Sequence, residues 1–251
     1  MKRRSVWMAS VITLTLVAWS MAPGSQGQAD RSEDRKGEKQ QGKKNTWDFD
    51  KVAAGGLPRG WKVAETNGKG KPGTWQVIAD ANAPSAPNVL ALTKTENRGG
   101  TYNLLVGGGT RYKNLELEVK VKALSGKEDQ GGGPLWRATD PNNYYVTRWN
   151  PLENNLRLYY VKASKRTQIA SVDVTADAKV WHTIRVTDVG KKIMVAFDGK
   201  TLIEKEDATF PGPGLIGLWT KADAATAFDD LQVESKTAAD TGAGDKKGGE
   251  R

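Results

Sequence analysis

The stretch from Trp181 to Leu231 leaves this chain the least freedom. It reads WHTIRV, then KKIMVAFDGKTLIE, then GPGLIGLWTKADAATAFDDLQV. In the first run His182, Ile184 and Val186 alternate with Trp181, Thr183 and Arg185. In the second, Ile193, Val195 and Phe197 alternate with Met194 and Ala196. A side-chain period of two is the signature of a strand with one face buried. Asp198-Gly199 separates Phe197 from Lys200 and supplies the positive φ angles that a two-residue type I′ hairpin requires. The stretch is therefore expected to form four or five antiparallel strands that close a β-sandwich.

The chain upstream continues the pattern. Leu115, Leu117, Val119 and Val121 alternate with Glu116, Glu118, Lys120 and Lys122, giving one apolar and one charged face. Turn sequences at Asp140–Asn143 and Asn150–Asn155 separate the runs PLWRAT, YYVTRWN and LRLYYVK. Short strands at such intervals belong to sandwiches and barrels. No run reads as a helix of roughly ten residues or more, the length at which periodicity separates the two classes. The expected fold is all-β: a two-sheet antiparallel sandwich over residues 46–234. A domain of that size buries about 70% of its unfolded surface.

The ends read differently. Lys2, Arg3 and Arg4 precede an uncharged apolar run from Val6 to Ala18, and small residues follow at Ala22, Gly24 and Ala29. Residues 1–29 are expected to be a secretory signal peptide, leaving a protein that is periplasmic or extracellular and not inserted in a membrane. Residues 30–45 and 235–251 are polar and Gly- or Lys-rich, and are expected to be a disordered linker and tail. The whole chain carries 38 Lys and Arg against 29 Asp and Glu, but residues 46–234 carry 25 against 22. The excess charge therefore lies mostly in the ends. No basic patch of the kind that holds a phosphate backbone stands out, so nucleic acid is not an expected partner. There is no cysteine, and stability must come from packing.

WHTIRV, FDGK, GLIGLWTKAD and FDDLQV, with GGGPLWRATDPNNYYVTRWNPLENNLRLYYV upstream, resemble a family of secreted bacterial domains. It is the 3-keto-disaccharide hydrolase, or 3-keto-glucoside lyase/hydratase, family. The resemblance spans roughly Thr46 to Glu234. It implies a concanavalin A-like jelly roll and a glycoside as ligand or substrate. Fold does not fix activity, and the resemblance assigns no catalytic residue here. The Glu-x-Asp-x-x-Glu strand of family 16 glycoside hydrolases, which share the jelly roll, is absent; LELEVKVK has lysine where its last acid would fall.

The candidate site comes from the residues themselves. Trp136-Arg137, the run Tyr144–Asn150, and Arg157-Leu158-Tyr159 interleave aromatic rings with guanidinium and amide groups. Arg148 and Asn150 share a face by period two, and Arg157 falls on the next strand. Trp219, Lys221 and Asp223 share a face of a later strand. Rings stack on sugars while Arg, Asn and Lys bind hydroxyls or carboxylates. The candidate saccharide-binding residues are thus Trp136, Arg137, Arg148, Asn150, Arg157, Trp219 and Lys221. The competing reading is cross-strand pairing that only ties the sheet together.

A lyase would need a base for proton abstraction α to a ketone. Glu116, Glu118 and Asp198 are the acids considered, with no motif to choose among them. His182 is the only histidine and is expected to be structural. With no cysteine, the usual zinc sites are excluded, and no cofactor is required. Jelly rolls of this kind often carry a structural Ca²⁺; Asp50 and Asp229, near the ends of the domain, are the candidate ligands. Three functions stay open: a saccharide-binding module, a 3-keto-glycoside lyase or hydrolase, and a structural sandwich without a sugar site.

Overall fold

The structure is a computed structural model that describes residues 44–237. The expected signal peptide and most of the linker and tail lie outside these residues. Fifteen strands occur among the described residues: β1 (Lys44–Trp47), β2 (Lys62–Thr66), β3 (Thr74–Ala79), β4 (Asn88–Lys94), β5 (Tyr102–Tyr112), β6 (Leu115–Ser125), β7 (Gly133–Asp140), β8 (Asn143–Asn150), β9 (Asn155–Lys162), β10 (Lys165–Asp173), β11 (His182–Val189), β12 (Lys192–Phe197), β13 (Lys200–Glu206), β14 (Gly214–Lys221) and β15 (Ala225–Ser235). They make two antiparallel sheets, a β-sandwich of jelly-roll type. One sheet has the order β13-β12-β11-β6-β15-β4-β3, with β1 also on β15; the other has the order β10-β9-β8-β7-β14-β5-β2. No helix among the described residues is long and apolar enough to cross a membrane.

The alternating runs land as their periodicity dictates. Leu115, Leu117, Val119 and Val121 are fully buried. Ile184 and Val186 on β11, and Ile193, Val195 and Phe197 on β12, join them in the core between the sheets. Asp198 and Gly199 have φ of 47° and 82°, both in the left-handed region that a type I′ hairpin needs. β1 begins at Lys44, two residues ahead of Thr46, because Lys44 and Asn45 pair with Glu234 and Val233. His182 is structural: Nδ1 meets Asp198 Oδ2 at 2.7 Å, Nε2 meets the Asp177 carbonyl at 2.8 Å, and the ring packs edge-on against Trp149.

Two buried clusters matter for the site. The larger one draws residues from both sheets and fills the sandwich. The second contains Tyr102, Leu104, Leu135, Tyr144, Val146, Tyr159, Val161 and Trp219, all from the seven-stranded sheet. It therefore lies on that sheet's outer face, turned away from its partner. Alternation assigns the two sides of β8: Tyr145 and Trp149 point into the sandwich, whereas Tyr144 and Val146 point outward. An outer sheet face made of tyrosine, tryptophan and aliphatic side chains is where this fold departs from a plain two-layer sandwich with a polar exterior.

Candidate functional site

The outer face of the seven-stranded sheet carries an aromatic plate and a charged cluster beside it. Tyr102 and Trp219, on the neighbouring strands β5 and β14, have ring centroids 5.1 Å apart. Trp219 Nε1 donates to Tyr144 Oη at 3.2 Å, and Tyr144 Oη also meets Thr66 Oγ1 at 2.8 Å. Burial drives the Tyr144 hydroxyl well above its ordinary pKa despite these bonds, so it stays a neutral hydrogen-bonding group. Arg166, on β10, lies across the plate. Its guanidinium carbon is 4.4 Å from the Tyr159 ring centroid, 5.2 Å from that of Tyr102 and 6.0 Å from that of Trp219. These are cation–π distances.

The charged cluster is centred on Arg148 and Arg157, which are direct cross-strand partners. Both reach Glu153 Oε2, at 3.0 and 2.8 Å. Arg148 Nη1 also donates to Asn155 Oδ1 at 3.2 Å. Burial works against the charge of Glu153, but hydrogen bonds from Asn155 and Arg148 and the charge of Arg157 hold its carboxyl below the ordinary range. On the other side stands Asp129. It accepts from Lys221 Nζ at 2.7 Å and from Asn150 Nδ2 at 2.8 Å. Asp129 is 1% exposed, and burial raises its pKa more than Arg148 and Lys221 lower it.

Asp129 is held there by a remote residue. The Asp223 carboxylate accepts the backbone amides of Lys127, Glu128 and Asp129. Burial opposes the Asp223 charge, yet those amides keep its carboxyl below the ordinary range. Lys221, expected to share a face with Asp223, pairs with Asp129 instead. Beyond this end of the plate a cavity of about 770 Å³ opens, lined among others by Asn67, Lys69, Lys71, Glu96, Arg98 and Thr101. It adjoins the cluster through its own wall, since the Gly99 amide donates to Glu128 Oε1 at 2.7 Å.

The structure thus brings together Arg148, Asn150, Arg157, Trp219 and Lys221. It does not bring Trp136 and Arg137 to them. Trp136 points into the sandwich, where it stacks on Tyr145 and donates to Asp188 Oδ2 at 2.7 Å. Arg137 follows it there: Nη2 pairs with Asp188 Oδ1 at 2.7 Å, and both side chains are fully buried. The cause is local. Arg137 has φ of 47°, and the β7–β8 register shifts between Trp136 and Asp140. This bulge breaks the alternation, so two consecutive side chains enter the interior. The partner strand makes room with Gly214, where a Cβ would collide with the Arg137 backbone.

The acids considered as bases also lie elsewhere. Glu118 pairs with Arg185 Nε at 2.7 Å, and Glu116 accepts from Thr187 Oγ1 at 3.4 Å, both across β6 and β11 of the eight-stranded sheet. Asp198 ties its turn to β11, accepting from the Thr183 amide at 2.8 Å and meeting His182 Nδ1 at 2.7 Å. Asp50 and Asp229 do approach a common segment. Asp50 Oδ1 accepts from the Asn88 amide at 3.1 Å, and Asp229 Oδ2 from the Ser85 amide at 2.8 Å. As placed, these carboxylates anchor the 85–88 loop. Among the described residues no group of three or more His, Cys, Asp or Glu is arranged to hold a metal ion.

The residues that sequence reasoning missed are Tyr102, Asp129, Glu153 and Arg166; Tyr159 enters it only as part of the Arg157-Leu158-Tyr159 run. Three polar atoms of the site lack any hydrogen-bond partner although buried: Arg148 Nε, Arg166 Nη1 and the Tyr159 hydroxyl. Unfilled donors also occur at Arg137 Nε and the indole nitrogens of Trp61, Trp75, Trp149 and Trp181, so they are not peculiar to this face.

No protein-family model and no curated protein matches the chain. Solved structures do. The carbohydrate binding module CBM66 from Bacillus subtilis superposes with a TM-score of 0.56 at 16% identity, covering 70% of this chain and 96% of that one. The cellulose induced protein Cip1 gives 0.55 at 12% identity, covering 76% and 97%. The GH43 protein BlXynB from Bacillus licheniformis gives 0.51 at 16% identity, covering 76% of this chain and 39% of that one. At these identities the likeness is one of fold.

Proposed function

We propose that this is an exported domain that engages carbohydrate on the outer face of its seven-stranded sheet. The observation that carries the reading is the charged cluster of Arg148, Arg157 and Lys221 beside an aromatic layer on the outer sheet face, with Arg157 and Lys221 reaching solvent. Fixed cationic and amide donors of this kind select hydroxyl and carboxylate positions. That CBM66 shares the fold agrees with this reading, although the argument rests on the side chains.

The test is binding. Arg148→Ala should weaken affinity for any captured glycan by about 10- to 150-fold, the worth of a lost charge-assisted hydrogen bond of about 1.5–3 kcal/mol. Arg157, whose side chain is 30% exposed, supplies a companion Arg157→Ala variant with less structural cost. A glycan array followed by calorimetry on the folded variants reads the effect. An affinity unchanged in both would remove the groove.

A second reading, the 3-keto-glycoside lyase or hydrolase, is favoured by Asp129. A buried carboxylate with a raised pKa next to Lys221 is placed to take and return a proton beside the plate. A base works deprotonated, so turnover of a 3-keto-glucoside should rise with pH through a value above the ordinary carboxylate range. Asp129→Asn should abolish turnover and leave glycan binding within about threefold, an interaction change below 1 kcal/mol. Turnover surviving Asp129→Asn would reject Asp129 as the base.

A further inference from the structure

The charges on the groove do not balance, and this deepens the saccharide reading on which it rests. Glu153 is the one carboxylate shared by Arg148 and Arg157. Asp129 is taken by Lys221 and Asn150. Among the described residues Arg166 has no carboxylate partner; its guanidinium rests on three rings and one of its nitrogens is buried without an acceptor. Four cations therefore face two carboxylates. The adjoining cavity leans the same way, with Lys69, Lys71 and Arg98 against Glu96.

Crowding guanidinium groups on a mostly apolar face is unfavourable unless an anion completes it, because desolvated charge is costly when unpaired. A neutral sugar offers hydroxyl acceptors but no counter-charge. Guanidinium forks match carboxylate and sulfate oxygens in pairs, with bonds about twice as strong as neutral ones. The aromatic plate beneath Arg166 holds it in place, and its side chain stays partly exposed.

We propose that this groove takes a saccharide bearing an anionic substituent, a carboxylate or a sulfate ester, held between the partly exposed guanidinium groups of Arg166 and Arg157. The experiment is calorimetry on the full secreted chain with four probes: oligogalacturonate, the same oligomer methyl-esterified, a sulfated galactan oligomer, and a neutral cello-oligosaccharide. Oligogalacturonate should bind about 10- to 150-fold tighter than its ester, the span of one charge-assisted contact. That preference should fall toward unity in Arg166→Met, which keeps the stacked aliphatic bulk, and should persist in Arg166→Lys.

Tight binding of the sulfated chain instead of the uronate also supports an anionic ligand and identifies sulfate as its source. Equal binding of acid, ester and neutral oligomers would overturn the proposal and leave the groove standing. Failure of every saccharide to bind would overturn both. If Arg166→Met does not fold, the acid-to-ester ratio of the unmodified protein still decides the matter. A preference that is unchanged in a folded Arg166→Met would also overturn the assignment.

Discussion

Arg137→Ala is expected to destabilise the domain by about 3–5 kcal/mol, the usual cost of removing one partner from a buried ion pair. Arg137 and Asp188 are both shielded from solvent, and the guanidinium also donates to the carbonyls of Phe210 and Gly190. The pair joins β7 of one sheet to β11 of the other. Without Arg137, Asp188 keeps only the Trp136 indole as a partner. Burial already lifts the Asp188 carboxyl to about 6 against the pull of Arg137. A raised carboxyl is protonated more readily folded than unfolded, so its contribution is fullest at low pH and is lost as pH rises through the folded pKa. In the variant that pKa must climb further. The deficit should therefore be larger at pH 8 than at pH 5. Urea unfolding at the two pH values measures it. A loss below about 1 kcal/mol, the scale of an exposed pair, or a deficit independent of pH, would contradict this account. The double change Arg137→Met with Asp188→Leu should recover most of the stability, because a dry pair can be replaced by packing.

Arg137 also shows where sequence reading stops. The core strands were legible because their alternation is unbroken: β6 and β11 bury every second residue along almost their whole length. The same rule put Arg148, Asn150 and Arg157 on one face, and the structure places them so. It failed at Trp136-Arg137, since periodicity assumes regular pairing and a positive-φ bulge cancels it. It also cannot say which sheet a face belongs to. Glu116 and Glu118 face outward as expected, but from the eight-stranded sheet, paired across β11. Asp129 was illegible for another reason. It sits in a loop whose shape depends on Asp223, some ninety residues away in sequence. Arg166 lies among polar neighbours on a half-exposed strand, and only its distances to three rings from three other strands give it a role.

Trp219→Ala is expected to have the largest combined effect on fold and site. Trp219 is fully buried, yet it faces away from the sandwich, so its loss empties the second cluster and not the main core. Replacing a buried tryptophan by alanine costs about 3–5 kcal/mol where the surroundings cannot collapse. Collapse is hindered here, because Tyr102, Tyr144 and Arg166 each rest on the indole through a different contact. The Tyr144 hydroxyl loses a donor, and Arg166 loses part of the surface that holds it. Trp219→Phe restores a ring but not the Nε1 donor, and should recover more than half of the stability. Glycan binding should then separate the two roles of the residue. In a folded Trp219→Phe, affinity should fall by no more than about tenfold, since a ring remains to support Arg166 and a change of 1.4 kcal/mol is tenfold. In Trp219→Ala, binding should be undetectable at concentrations that saturate the unmodified protein, even at temperatures where the variant remains folded. Full binding by a folded Trp219→Ala would show that the plate is only a second hydrophobic core, and that the ligand, if there is one, is held by the charged cluster alone.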